Sequence, residues 1–218
     1  MIMKKIIPTS ILTLLVLGGT ANSAYATISA DGQSGDTTTT VGFTDDNHIV
    51  DPTEGAIGLT RIPSTFDFGR SNKVSTTVQS IAATNAGAQY VSATDLRTAK
   101  TAWSITAKAS EMVNVLDRSD KISNATLQIS GDAMTQKDGK WSATNDVAVN
   151  TVNLNPGGDS ARFVSTNAAD TSSLPGQEVG ARLSNIQLNL AANQGTSEQQ
   201  YSGAVTWNLE AVPAPNPS

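Results

Sequence analysis

The stretch "YSGAVTWNLEA" (residues 201–211) alternates without a break. Tyr201, Gly203, Val205, Trp207, Leu209 and Ala211 fall on one side, while Ser202, Ala204, Thr206, Asn208 and Glu210 fall on the other. A period of two marks a half-buried β-strand, because successive side chains point to opposite faces of a sheet. Well upstream, "TAWSITAKAS" (101–110) repeats the pattern. There Trp103, Ile105 and Ala107 share one face, and Ser104, Thr106 and Lys108 the other. Two of three Trp residues thus precede an aliphatic residue by two positions, in a chain that is only 5% aromatic.

Strand patterns separated by turn residues recur from Leu59 onward. "YVSATD" (90–95) and "ARFVST" (161–166) are short strands, and "NATLQISG" places Ala125, Leu127 and Ile129 together. Asp138-Gly139 predicts a tight hairpin, with Trp141 just beyond it. "DVAVNTVNLNPGG" switches phase near Thr151 and turns at Pro156-Gly157-Gly158. "EVGARLSNIQLNL" also switches, from Val179, Ala181 and Leu183 to Ile186, Leu188 and Leu190, which predicts a bulge near Ser184-Asn185. Helix signals are few. Val74, Val78 and Ile81 have helical spacing, but the Thr and Ser around them favour strand or loop. Residues 110–120 have room for one helical turn. The expected class is all-β: a β-sandwich, Ig-like or a related antiparallel arrangement, with few or no helices.

The N-terminus reads as a targeting segment. Lys4 and Lys5 precede a mostly apolar run to Gly19, and Ala24-Tyr25-Ala26 fits a cleavage site. Residues 1–26 are therefore expected to be a signal peptide cleaved after Ala26, and the run is short for a membrane span. Residues 27–58 are polar, with one strand expected at Thr38–Phe43 and a loop or linker over "DDNHIVDPTEG". Residues 59–213 make the β domain, and 214–218 are expected to be a disordered tail. The chain carries a net charge of −5 and no Cys. The acidic balance argues against nucleic acid as a partner. The missing Cys excludes disulfides, thiol catalysis and a lipidated Cys. "LPGQE" (174–178) lies mid-chain and lacks the Thr and tail of a sorting signal.

Catalytic chemistry finds little support. His48 is the only His and sits among Asp45, Asp46 and Asn47, where a solvated loop side chain is the plain reading. One His and no Cys leave zinc almost without ligands. Asp45, Asp46, Asn47, Asp51 and Glu54 offer oxygen donors for calcium but lack EF-hand spacing, so a solvated acidic linker is the favoured reading and no metal or cofactor is assigned. A polysaccharide hydrolase needs only two carboxylates, yet no pair stands out and aromatics for subsites are scarce. Trp103 and Trp207 admit two roles, core packing or ligand contact, and strict alternation favours the core.

These motifs together resemble the WxL family of cell-surface proteins. "TWNLEAVP" (206–213), with Tyr201 upstream, is similar to the family's distal motif. "DLRTAKTAWSITA" (95–107) is similar to the proximal one, an Asp-x-Arg (Asp95, Arg97) followed by Trp103 and Ile105. "VDPTEG" (50–55) and "IPSTFDFG" (62–69), with Phe66, Asp67, Phe68 and Gly69, resemble its opening segment. The sequence departs mildly: Ile105 replaces the commoner Leu or Val, and Ala102 stands where Gly is frequent. The resemblance implies a Gram-positive, non-enzymatic module, secreted or wall-associated, that binds peptidoglycan without a covalent link. It also implies two protein partners, a membrane-anchored WxL-interacting protein and other WxL proteins. Trp103, Ile105, Trp207 and Leu209 would form the binding site or the core beneath it, supported by Asp95, Arg97, Tyr201 and the Phe66–Gly69 segment.

Overall fold

Short alternating strands bury one face each, so they must stack as sheets around a shared apolar layer. The computed structural model shows this arrangement and describes residues 27–28, 34–38, 48–49, 52–87, 89–98, 101–166 and 176–211. The strands begin with β1 (Thr27–Ile28), β2 (Ser34–Thr38), β3 (His48–Ile49), β4 (Ile57–Ile62), β5 (Gln79–Ala82) and β6 (Tyr90–Asp95). They continue with β7 (Trp103–Ala109), β8 (Met112–Asn114), β9 (Lys121–Ile122), β10 (Ala125–Lys137), β11 (Lys140–Ala143) and β12 (Val147–Val149). The last are β13 (Val152–Leu154), β14 (Ala161–Thr166), β15 (Glu178–Leu190), β16 (Tyr201–Ser202) and β17 (Ala204–Ala211). No helix occurs among the described residues.

One sheet runs β1-β2-β17-β7-β14-β12. The second runs β11-β10-β15-β6-β4-β3, with β13 on β10 and β5 on β15. A small third sheet, β16-β8-β9, lies apart from both ladders. Side chains of the two large sheets meet in one core, with Trp207, Ile105, Phe163 and Val205 from the first and Leu59, Val91, Ile129, Leu183 and Ile186 from the second. A smaller cluster of Ile122, Ala125, Leu188 and Leu190 is flanked by Met112 and Tyr201. The architecture is the expected all-β sandwich.

The two phase switches have different physical origins. Opposite β15, Ser130 pairs with Asn185 and Gly131 with Leu183, so Ser184 is the extra residue of a bulge. That bulge lets both halves of β15 bury their aliphatic set. Near Thr151 the chain instead changes sheet: β12 pairs with β14 and β13 with β10. The Asp138-Gly139 turn forms as expected, with φ of 51° and 75° joining Lys137 to Lys140.

Several expectations need correction. A strand is described at Ser34–Thr38, which adds to β17, while the strand expected at Thr38–Phe43 lies, beyond Thr38, outside the described residues. His48 and Ile49 are not linker but pair with Ile62 and Arg61, because an extended segment beside β4 satisfies its backbone groups there. The stretch 110–120 forms strand β8 rather than a helical turn, since its backbone pairs with β9 and β16. Residues 201–211 are not one strand. The chain breaks at Gly203, where a Cβ would stand 3.1 Å from Glu111 O, and Tyr201 goes to the third sheet. The signal-peptide reading of 1–26, apart from the backbone of Thr27 just beyond it, and the tail 214–218 lie outside the described residues.

Candidate functional site

The two Trp strands are neighbours. β17 and β7 pair antiparallel, with Leu209 opposite Ile105, Trp207 opposite Ala107, and Trp103 opposite Ala211. Each strand reads Trp-x-aliphatic-x-Ala in its own direction, Trp103-Ile105-Ala107 and Trp207-Leu209-Ala211. Antiparallel pairing about the Ile105–Leu209 step therefore sets each large indole against a small methyl, so both fit one layer. Trp103 is 2% exposed, Ile105 and Trp207 0%, and Leu209 5%. Phe163 is the extra residue of a bulge in β14, since Arg162 pairs with Thr106 and Val164 with Ile105. The bulge turns Phe163 inward, where its ring lies 5.7 Å from that of Trp207 at 58°. At this depth the four motif residues hold two strands and two sheets together and do not present a surface to a ligand.

The supporting motif residues make ties between loops. Arg97 grips Asp95 through two nitrogens, Nε to Oδ1 at 2.9 Å and Nη2 to Oδ2 at 2.8 Å. Its Nη2 also donates to Thr101 O at 2.8 Å. This fork fixes the connection that leads from β6 into the Trp103 strand. Phe66 enters the main core, while Phe68 packs between the two clusters. Asp67 accepts from Gly69 N at 2.8 Å, and its carbonyl accepts from Thr84 N at 2.8 Å. Gly69 adopts a φ of 77°, which a residue with a Cβ rarely does.

Tyr201 stands away from the Trp pair. Its hydroxyl donates to Asp120 Oδ2 at 2.5 Å, and Asn114 Nδ2 donates to the same oxygen at 3.0 Å. Those bonds, Asn114 first and Tyr201 second, hold the Asp120 carboxyl below its usual range against the opposing effect of burial. Burial, helped by Asp120, pushes the Tyr201 hydroxyl up. Because the folded pKa of Asp120 is depressed, its stabilisation is present above the unfolded value of 3.8 and is lost as pH falls through the lower folded value. Below about pH 4 the β8-β9-β16 sheet is expected to loosen, read as faster amide exchange at Val113 and Asn114. Asp120→Asn should flatten that dependence, leaving the part from Asp117, whose carboxyl is lowered by its bonds from Ser119. An unchanged acid response in Asp120→Asn would remove Asp120 from this role.

A second cluster, with no family motif, covers the outer face of the second sheet. Tyr90 on β6 and Trp141 on β11 stack with ring centroids 4.4 Å apart and planes 15° off parallel. The Arg61 guanidinium lies 5.6 Å from the Trp141 ring centre. Arg61 Nε donates to Glu178 Oε1 at 2.8 Å, and Ser92 Oγ donates to the same oxygen at 2.5 Å. With its amide turned so that both ends find partners, Gln136 donates to Glu178 Oε2 at 3.1 Å and accepts from Arg61 Nη2 at 3.2 Å. Sequence reasoning noted Trp141 only as the residue after a turn. The available signal was a bulky aromatic on a strand whose other residues, Lys140, Ser142 and Ala143, gave it no apolar set to join.

No cluster of His, Cys, Asp and Glu suited to a metal occurs among the described residues. No helix among them is long and apolar enough to cross a membrane. In comparisons with known proteins, neither a curated protein nor a solved structure matches the chain. A family model does match: the WxL domain, a surface cell wall-binding domain, over residues 30–213. That span includes both Trp strands, the Asp95–Arg97 fork and the Phe66–Gly69 loop. The chain belongs to the WxL family of cell wall-binding surface domains.

Proposed function

We propose that this protein is secreted, with its leader cleaved after Ala26, and binds peptidoglycan non-covalently at the surface of a Gram-positive cell. The match of a wall-binding family over residues 30–213 carries this reading. We assign no reaction to it, because the matched family is a wall-binding one. The wall attachment would place the domain within multi-component surface complexes with other WxL proteins and a membrane-anchored WxL-interacting protein.

A second reading makes the domain a structural subunit retained only through that membrane-anchored partner. On that reading, aliphatic side chains outside both cores, Val78 at 76% and Leu116 at 86% exposure, would be covered by the partner. One experiment separates the two. Residues 27–218 are sedimented with purified peptidoglycan, and in parallel surface retention is scored in cells lacking the membrane partner. Capture by bare peptidoglycan supports direct wall binding. A protein left in the supernatant, together with loss from partner-deleted cells, supports the second reading instead.

A further inference from the structure

Wall binding needs a surface, and the motif Trp residues are sealed inside the sandwich. Among the described aromatics, Trp103, Trp207, Phe66 and Phe163 are buried, Phe68 packs on the core, and Tyr201 is tied to Asp120. Tyr90 and Trp141 remain, partly exposed and stacked over polar groups.

Three local features converge to make this place. Along the sheet, β11 and β6 are separated by β10 and β15. At a spacing of about 4.8 Å per strand, β11 and β6 lie roughly 14 Å apart across the sheet, and the rows of the two rings lie roughly 13 Å apart along it. Trp141 shares a row with Glu178 and Gln136, and Tyr90 shares one with Arg182. Gly180 lies in the row between, paired with Ser92 on one side and Met134 on the other, and its missing Cβ lets the β6 backbone that carries Tyr90 approach β15, since a Cβ there would lie 2.1 Å from Val91 O. On β4, Leu59 pairs with Ala93 and Arg61 with Ser92, which makes Thr60 the extra residue of a bulge. A regular strand would send Arg61 inward with Leu59. The bulge re-aims it onto the outer face beneath Trp141. A tight turn, a bulge and a glycine thus assemble an aromatic pair beside a planar guanidinium, carboxylate and amide.

We infer that this face of the second sheet is where the protein holds a peptidoglycan glycan strand, with Tyr90 and Trp141 as its apolar contact. This inference rests on the wall-binding reading above. Sugar rings offer C–H surfaces that pack on aromatic rings, and hydroxyl and N-acetyl groups that need planar polar partners. Arg61 retains guanidinium donors beyond those it gives to Glu178 and Gln136. The charges here cancel, since Arg61 pairs with Glu178 and Arg182 with Asp132 at 3.1 Å. A balanced patch suits an uncharged sugar backbone and gives no general attraction for a polyanionic wall polymer.

The test compares wild type, Tyr90→Ala, Trp141→Ala and Trp141→Phe in sedimentation with peptidoglycan stripped of other wall polymers. Each Ala variant should bind at least about tenfold more weakly while keeping a cooperative melt, and Trp141→Phe should retain most binding. In a second measurement, soluble disaccharide-peptide fragments should change the Trp emission of wild type, and the change should vanish in Trp141→Phe. This readout holds even where an Ala variant fails to fold. Capture of wild type with equal capture of folded Ala variants overturns the site and leaves wall binding standing, as does a fragment-induced change that persists in Trp141→Phe. Failure of wild type itself to bind overturns the wall-binding reading and the site with it.

Discussion

Trp207→Ala is expected to destabilise the fold by about 3–5 kcal/mol, the range for removing a large aromatic from a packed core. Trp207 is fully buried, faces Phe163, and stands opposite Ala107, whose methyl cannot refill the space. In a domain of this length the loss lowers Tm on the order of 10 °C. Urea denaturation and a thermal melt measure it, and a change below about 1 kcal/mol would refute the core role. The same variant separates structure from binding. Below its own Tm, Trp207→Ala should still sediment with peptidoglycan. A folded variant that no longer binds would make Trp207 a ligand contact after all.

Gly180→Ala is the second substitution with a large expected effect. A Cβ built at this position would lie 2.1 Å from Val91 O and 2.6 Å from the Ser92 Cα. Both are backbone atoms of β6, so no side-chain rotation relieves the overlap. The strands must separate where Val179, Gly180 and Ala181 pair with Ala93, Ser92 and Val91. The expected cost is about 3 kcal/mol, the upper part of the usual range for overpacking. Separation would also disturb the stack of Tyr90 on Trp141, because Gly180 lies between their rows. Near-UV circular dichroism should weaken along with the urea midpoint. If Gly180→Ala unfolds within about 0.5 kcal/mol of wild type, the close approach of β6 to β15 is not a requirement of the fold.

Much of the fold was legible because strand periodicity is local. The alternation in "AVTWNLEA" follows from side-chain direction alone, and the Asp138-Gly139 turn from the backbone freedom of two residues. The Ser184 bulge was legible too, since a phase change inside an aliphatic run has few structural solutions. The change near Thr151 looked the same in sequence and proved to be a crossing between sheets. Nothing in "VAVNTVNL" states which neighbour each half will find.

The sequence by itself determined that the chain is all-β, which residues form its core strands, and which family its Trp motifs mark. These properties reside in the order of residues along single strands, where side-chain direction depends on the parity of position. Only the tertiary structure decided that the two Trp strands are adjacent and mutually complementary, Ala against Trp on each side. It also decided that the motif indoles lie inside and that Trp141, outside every motif, meets Tyr90 across two intervening strands. The reason is physical: pairing partners and sheet curvature depend on contacts between segments far apart in the chain. No local pattern encodes which distant strand will share a ladder.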